Sequence, residues 1–361
     1  MNESTWLAEL IARARPVDEA ARAAALVRHD RLTKPPGSLG RLEELGAWLA
    51  AVQGRVPPSL GGAAVVVAAA DHGVAAAGVS AYPQEVTQQM VLNFARGGAA
   101  VCAMARAAGA RLVVVDAGVR GGPLRLPGVR DAWAGDGTAD FRRGPAMTEE
   151  QLRACLAAGA GIALDLAAAG ADVFIPGEMG IGNTTAAAAV TSAATGASPD
   201  LTVGRGTGVS DERLAVKRAA VEQALAVNAV RPDDGQEILR RLGGFELAVL
   251  AGVMLGAAAE RRAVVLDGYI STAAALAAVR IAPALRGYLV AGHRSAEPGH
   301  ALALDDLGLA PLLQLDMRLG EGTGGLAALP LLRAAAAVLG EMATFDEAGV
   351  SDSDEVVRDE R

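Results

Sequence analysis

Two glutamates lie among glycines, Glu178 in Gly177-Glu178-Met179-Gly180 and Glu321 in Gly320-Glu321-Gly322. Glycine neighbours give a carboxylate little side-chain cover, so solvent or a ligand can reach it. A carboxylate within about 3 Å of an acidic proton can act as general base, worth roughly 10²–10⁴-fold in rate. The plainer alternative is a loop carboxylate accepting backbone hydrogen bonds, and either residue alone fits it. A carboxylate pair is also what glycoside cleavage uses.

Two glycine-rich turns accompany them, Gly180-Ile181-Gly182-Asn183-Thr184-Thr185 and Gly204-Arg205-Gly206-Thr207-Gly208. Each precedes a helical segment, where exposed amides and the helix dipole bind anions. Neither runs into Gly-Lys-Ser/Thr, and neither is a GxGxxG followed by an acid about 20 residues on. A phosphate is therefore indicated; ATP or a dinucleotide is not.

Of 33 basic residues only Lys34 and Lys217 are lysine. Where arginine has replaced lysine almost everywhere, a remaining ammonium is a candidate for a role that guanidinium geometry cannot fill. Lys217 follows the second glycine-rich turn, which makes it a phosphate ligand candidate. Lys34, in Thr33-Lys34-Pro35-Pro36-Gly37, has no derived role. His72 and His293 follow apolar runs and are candidates for the cleft, whereas His29 and His300 are expected to be surface or helix residues. Tyr82, Met90 and Met179 could hold a flat heteroaromatic ring, or simply pack in the core. No HExxH, Cys/His cluster or GxSxG occurs, so neither a metal site nor a hydrolase triad is expected.

These residues need a scaffold. Six apolar runs, Ala63–Ala70, Arg111–Val115, Ala171–Ile175, Arg262–Leu266, Gly287–Ala291 and Leu312–Leu315, are continuous rather than alternating, as in strands buried on both faces of a parallel sheet. Each is followed by glycine with an acid or histidine, and ligands of open parallel sheets bind at those strand ends. Alanine- and leucine-rich helical stretches lie between most runs. The capping box Thr148-Glu149-Glu150-Gln151 opens one, and Ser210-Asp211-Glu212 opens Leu214–Val227. The expected fold is α/β: a Rossmann-like, doubly wound, mainly parallel six-stranded sheet in a large domain, 59–325. A small helical subdomain is expected from the chain ends, 1–58 joined by 326–345, with an acidic, frayed tail at 346–361. The segment Gly118–Pro145 has little periodicity and suggests a functional excursion or an interface.

Composition sets limits. The 361 residues are 52% hydrophobic, 20% charged and 3% aromatic, with a net charge of −8. The core must be built from Ala, Val and Leu, and the acidic balance argues against nucleic acid. The opening MNESTWLAEL lacks a basic region followed by an apolar one, and the longest strongly apolar run, Leu247–Ala259, is too short to span a bilayer. No secretory signal or membrane span is expected, and the location is expected to be cytoplasmic.

Seven stretches, Thr33–Leu45, Ala69–Thr87, Pro176–Thr185, Gly204–Gly208, Leu266–Leu276, Gly292–His300 and Met317–Gly325, together resemble the nicotinate-nucleotide–dimethylbenzimidazole phosphoribosyltransferases. The resemblance covers residues 30 to 340 in order. It implies transfer of the 5-phosphoribosyl group from nicotinate mononucleotide to 5,6-dimethylbenzimidazole, with inversion, by a homodimer that needs no cofactor. Glu321 matches the family's catalytic glutamate, with Glu178 assisting. The phosphate and ribose are expected at Gly180, Gly182, Asn183, Thr184, Gly206, Thr207, Gly208, Lys217, Asp267, Ser295 and Gly322. Tyr82, Met90, Met179 and Leu319 are expected around the base. The same donor with a phenolic or purine acceptor, a non-catalytic nucleotide-binding protein and a nicotinamide-dependent oxidoreductase are the alternatives; the missing dinucleotide fingerprint disfavours the last.

Overall fold

The computed structural model describes residues 5–206 and 208–351. Thr207 and most of the acidic tail therefore lie outside the described residues. Six strands form one sheet: β1 (Gly62–Ala70), β2 (Arg111–Gly118), β3 (Val129–Asp131), β4 (Ala171–Met179), β5 (Ala263–Leu266) and β6 (Leu289–Ala291). Their order is β3-β2-β1-β4-β5-β6, and all neighbours are parallel. This is the doubly wound order, whose direction reverses between β1 and β4, where a crevice opens at the carboxyl ends of the strands.

The strands differ from the sequence expectation in an instructive way. Leu312–Leu315 is no strand; Leu313 makes one parallel bridge to His293, held by the Arg294 N–H on its carbonyl at 2.8 Å. The sixth strand is instead β3, inside the segment expected to be an excursion. It pairs with β2 through three residues, Val114 opposite Val129 to Asp116 opposite Asp131. Its short, polar sequence carries no apolar run because it is a sheet edge. β2 and β4 also run past their apolar cores, so Glu178 is not in a turn but on the strand, opposite Ala68.

The alanine-rich composition is used for close approach. Helices Glu149–Ala168 and Phe245–Ala259 meet so tightly that a Cβ on Gly159 would strike the Val249 carbonyl, and one on Gly252 the Leu156 carbonyl. The capping box at Thr148 forms as its sequence suggests, with the Gln151 N–H donating to Thr148 Oγ1 at 3.1 Å and the Thr148 N–H to Gln151 Oε1 at 2.9 Å. Two helices, Glu149–Ala168 and Thr323–Glu341, are long and apolar enough to cross a membrane by length and composition. Alanine and glycine dilute their leucines, so inspection for one strongly apolar run passes over them. About half of each apolar window is buried within the protein, the pattern of core helices.

The chain divides into two units, one from Met1–Pro16 and Gly61–Pro330, the other from Val17–Leu60 and Leu331–Arg361. The first helix, Trp6–Arg13, therefore goes with the large unit. In the small unit, Ala25, Ala47, Ala50 and Leu339 form the core. Here Lys34 makes a buried ion pair with Glu43 at 2.8 Å, and Glu43 also accepts the Leu39 N–H at 3.0 Å. His29 is buried rather than on the surface, and burial lowers its pKa.

Candidate functional site

A cavity of about 380 Å³ opens at the carboxyl ends of β4, β5 and β6 within the large unit, and four carboxylates line it: Glu178, Asp267, Glu297 and Glu321. All four are less than 10% exposed. Arg318 and His293 are the basic side chains on its wall.

Each carboxylate is positioned by backbone geometry. Glu178 is the penultimate residue of β4, and Asn183 Nδ2, at the start of helix Asn183–Thr195, donates to its Oε2. Burial raises the Glu178 pKa well above the usual carboxylate range, and the negative charges of Asp267, Glu246 and Glu321 raise it further. Glu321 has φ +64, a left-handed conformation that costs a non-glycine residue of order 1–3 kcal/mol. Its Oε2 accepts the Val101 N–H at 3.3 Å, at the amino end of helix Ala100–Ala108. Oε1 has no hydrogen-bond partner among the described residues. Burial raises the Glu321 pKa, opposed by the Val101 amide and reinforced by Asp267. Strain held at a buried acid on a cavity wall is the pattern that active sites and ligand clamps show.

Asp267 follows β5 and receives three amides, from Gly322 at 3.1 Å, Gly324 at 2.6 Å and Gly325 at 3.3 Å. It thus fastens the turn that carries Glu321. Burial raises its pKa, while His293, 3.8 Å away, and the amides pull it down. Glu297 Oε1 accepts the Gly206 N–H at 2.9 Å.

Tyr82, Met90, Met179 and Leu319 all line the cavity, as do Gly180, Asn183, Thr184, Gly206, Asp267 and Ser295. Tyr82 and Leu319 form its open rim, at 53% and 58% exposure. Gly182 and Lys217 instead line a small neighbouring cavity of about 20 Å³ together with Thr184, and Gly208 lines a third, wider one. Lys217 is buried; its Nζ donates to Thr184 Oγ1 at 3.0 Å and to the Gly204 carbonyl at 2.8 Å. Burial lowers its pKa to about 8, against the attraction of Glu297. The amides of Gly206 and Gly322 are committed to Glu297 and Asp267, so these glycines serve the site by conformation, with φ +55 and +88. Thr207 lies outside the described residues.

Acids after every strand do not all face the cavity. Asp116 accepts the N–H groups of Gly118, Val119 and Leu124, and Asp71 that of Arg120, so both anchor loops. His72 is fully buried away from the cavity, paired with Glu246 at 2.8 Å. Burial alone would lower its pKa, but the Glu246 carboxylate prevails and raises it. Residues not singled out from sequence include Glu297, Arg318 and Tyr269. The signal for Glu297 was present in Glu297-Pro298-Gly299, an acid just before a helix with proline in its first turn.

A Rossmann-ordered parallel sheet, with an acidic cavity at the strand ends and a helix amino end on its wall, defines an α/β enzyme acting on a small charged ligand. The chain belongs to the nicotinate-nucleotide–dimethylbenzimidazole phosphoribosyltransferase family. A family model described as Phosphoribosyltransferase matches residues 14–350. The enzyme so named from Roseiflexus sp. (strain RS-1) is 53% identical, over 96% of this chain and 98% of that one. The one from Thermus thermophilus is 54% identical, over 93% and 99%. A crystal structure of CobT, also from Thermus thermophilus, superposes with a TM-score of 0.89 at 53% identity, covering 92% of this chain and all of that one.

Proposed function

We propose that this chain carries out the reaction named for its relatives, moving the 5-phosphoribosyl group from nicotinate mononucleotide to 5,6-dimethylbenzimidazole in cobalamin lower-ligand assembly. The observation that carries the reading is Glu321: a buried, strained carboxylate on the cavity wall with one oxygen fixed by a helix amide. The acidic lining suits a donor whose nicotinate nitrogen is cationic. When the anomeric carbon–nitrogen bond breaks, its electron pair neutralises that nitrogen and nicotinate leaves. One benzimidazole nitrogen forms the new bond from the opposite face, inverting the centre. The other ring N–H becomes acidic as charge develops, and Glu321 Oε1 takes its proton.

Glu178 hydrogen-bonds substrate and steadies the base; Tyr82, Met90, Met179 and Leu319 enclose the flat ring. The 5′-phosphate rests against the amino end of helix Asn183–Thr195, with the Gly180–Thr184 turn, Ser295 and Arg318. Lys217 acts through Thr184 and the Gly204–Gly208 turn, and Asp267 is placed near the ribose. The enzyme works as a cytoplasmic homodimer without nucleic acid or membrane, a setting in keeping with its two buried free thiols, Cys102 and Cys155. The test is incubation with both substrates and detection of α-ribazole 5′-phosphate by mass spectrometry, with phenols and adenine as competing acceptors. Absence of that product would overturn the reading.

A further inference from the structure

His300 lies in the first turn of helix Pro298–Leu307. On that helix, one of the two settings expected for it, it is fully buried, and it is not on the cavity wall. Its Nδ1 accepts the Ser295 N–H at 2.9 Å, and its Nε2 lies 3.0 Å from Thr272 Oγ1. Thr272 Oγ1 is also 2.8 Å from the Gly268 carbonyl.

Proton accounting fixes every donor. The Ser295 amide can only donate, so Nδ1 carries no proton. A neutral imidazole has one N–H, which must then be on Nε2. That N–H donates to Thr272 Oγ1, whose single hydroxyl hydrogen is left for the Gly268 carbonyl. An unbroken chain results: Ser295 N–H to His300, His300 to Thr272, Thr272 to Gly268. Its two ends, Ser295 and Gly268, both line the main cavity. They belong to the turns after β6 and β5.

We propose that His300, locked as the Nε2–H tautomer, is a positioning residue that aims the Ser295 hydroxyl into the cavity for the donor's anionic group. The inference rests on the phosphoribosyl reading above. Ser295 Oγ accepts the Glu297 N–H at 3.4 Å, so its hydrogen is available to a ligand oxygen. With its amide tied to His300, the Ser295 backbone cannot turn that hydroxyl away. A protonated His300 would set an Nδ1–H against the Ser295 N–H. Burial, with the positive charges of His293 and Arg294, lowers its pKa to about 3 and keeps it neutral.

The test combines nitrogen-15 NMR of the histidines with calorimetric binding of nicotinate mononucleotide and steady-state kinetics. The expected spectrum shows one histidine with an unprotonated Nδ1 and a protonated Nε2, unchanged from about pH 5 to 8 and absent in His300→Phe. That variant should bind the nucleotide about tenfold more weakly, roughly 1.4 kcal/mol, with its KM rising more than its kcat falls. His300→Asn, whose Oδ1 can accept the Ser295 amide, should recover part of the affinity. Thr272→Val, which removes the second link, should weaken binding in the same direction and serves if His300→Phe does not fold. A titrating or Nδ1–H His300 would overturn the proposal, as would unchanged nucleotide affinity in both His300→Phe and Thr272→Val. Failure of the wild-type chain to make product would instead refute the reaction, while nucleotide affinity and tautomer still judge the role of His300.

Discussion

The backbone of Gly177 lies directly beneath that of Glu321: a Cβ at position 177 would come within 2.5 Å of the Glu321 carbonyl carbon and oxygen and 2.7 Å of the Gly322 nitrogen. Gly177 is therefore required for space rather than for an unusual backbone angle. Gly177→Ala should push the Glu321 turn outward. Displacing a catalytic group by about 1 Å can cost about 10²-fold, so kcat should fall by about that factor. A crystal structure of the variant, paired with its kinetics, tests whether the shift and the loss go together.

Glu321→Gln keeps the shape and the Val101 hydrogen bond but removes the carboxylate proposed as the base. Turnover should fall by roughly 10²–10⁴-fold, with nucleotide affinity by calorimetry retained. The wild-type pH profile carries a second signature. A base must be ionised, and the Glu321 pKa is raised by burial. The acid limb should therefore set in above the ordinary glutamate value of 4.5, and activity should be lost as pH falls through it. An unaltered rate in Glu321→Gln would remove Glu321 from the mechanism.

The legibility of this site follows from the kind of signal each residue leaves. Glu178 and Glu321 could be found because glycines flank them, and the central strands because burial on both faces leaves unbroken apolar runs. β3 left no such run, since a three-residue edge strand needs only backbone pairing. Strand-end acids divide by what they accept, and sequence does not record that: Asp116 and Asp71 look like Asp267 until their amide donors are placed. The burial of His300 was not legible because its environment comes from Ser295 and Thr272, and the separation of 28 positions between Thr272 and His300 hides the pairing.

Lys217 offers a stability measurement. Its folded-state pKa is about 8, below the 10.5 of an exposed lysine. Between those values the unfolded chain holds a proton that the folded chain has released, so stability rises with pH across that window. A difference of this size corresponds to roughly 3 kcal/mol. Lys217→Met fills the same space without the charge and should lack this rise. Urea unfolding of both proteins at about pH 7 and pH 10 should show wild type gaining on the variant. Parallel pH dependences would mean that Lys217 titrates as a solvated lysine. The same substitution leaves Thr184 Oγ1 and the Gly204 carbonyl without their donor, and nucleotide affinity should weaken with it.

Glu178 and Glu321 are both buried acids on one wall, yet they should respond oppositely to amide substitution. Four carboxylates cannot all be ionised cheaply in so small a volume, and burial, then the charges of Asp267, Glu246 and Glu321, raises the Glu178 pKa well above the usual range. Glu178 is therefore the carboxyl expected to hold a proton; its Oε2 accepts from Asn183, and the Glu321 N–H also donates to the carboxyl. Glutamine is neutral like the protonated acid, and its oxygen can still accept from Asn183. Glu178→Gln should retain activity to within about tenfold, about 1.4 kcal/mol of barrier, whereas Glu178→Ala, which abandons Asn183 in a buried site, should lose far more. Comparing Glu178→Gln with Glu321→Gln under identical conditions assigns the acid and the base. Equal losses in the two would show that both work as carboxylates.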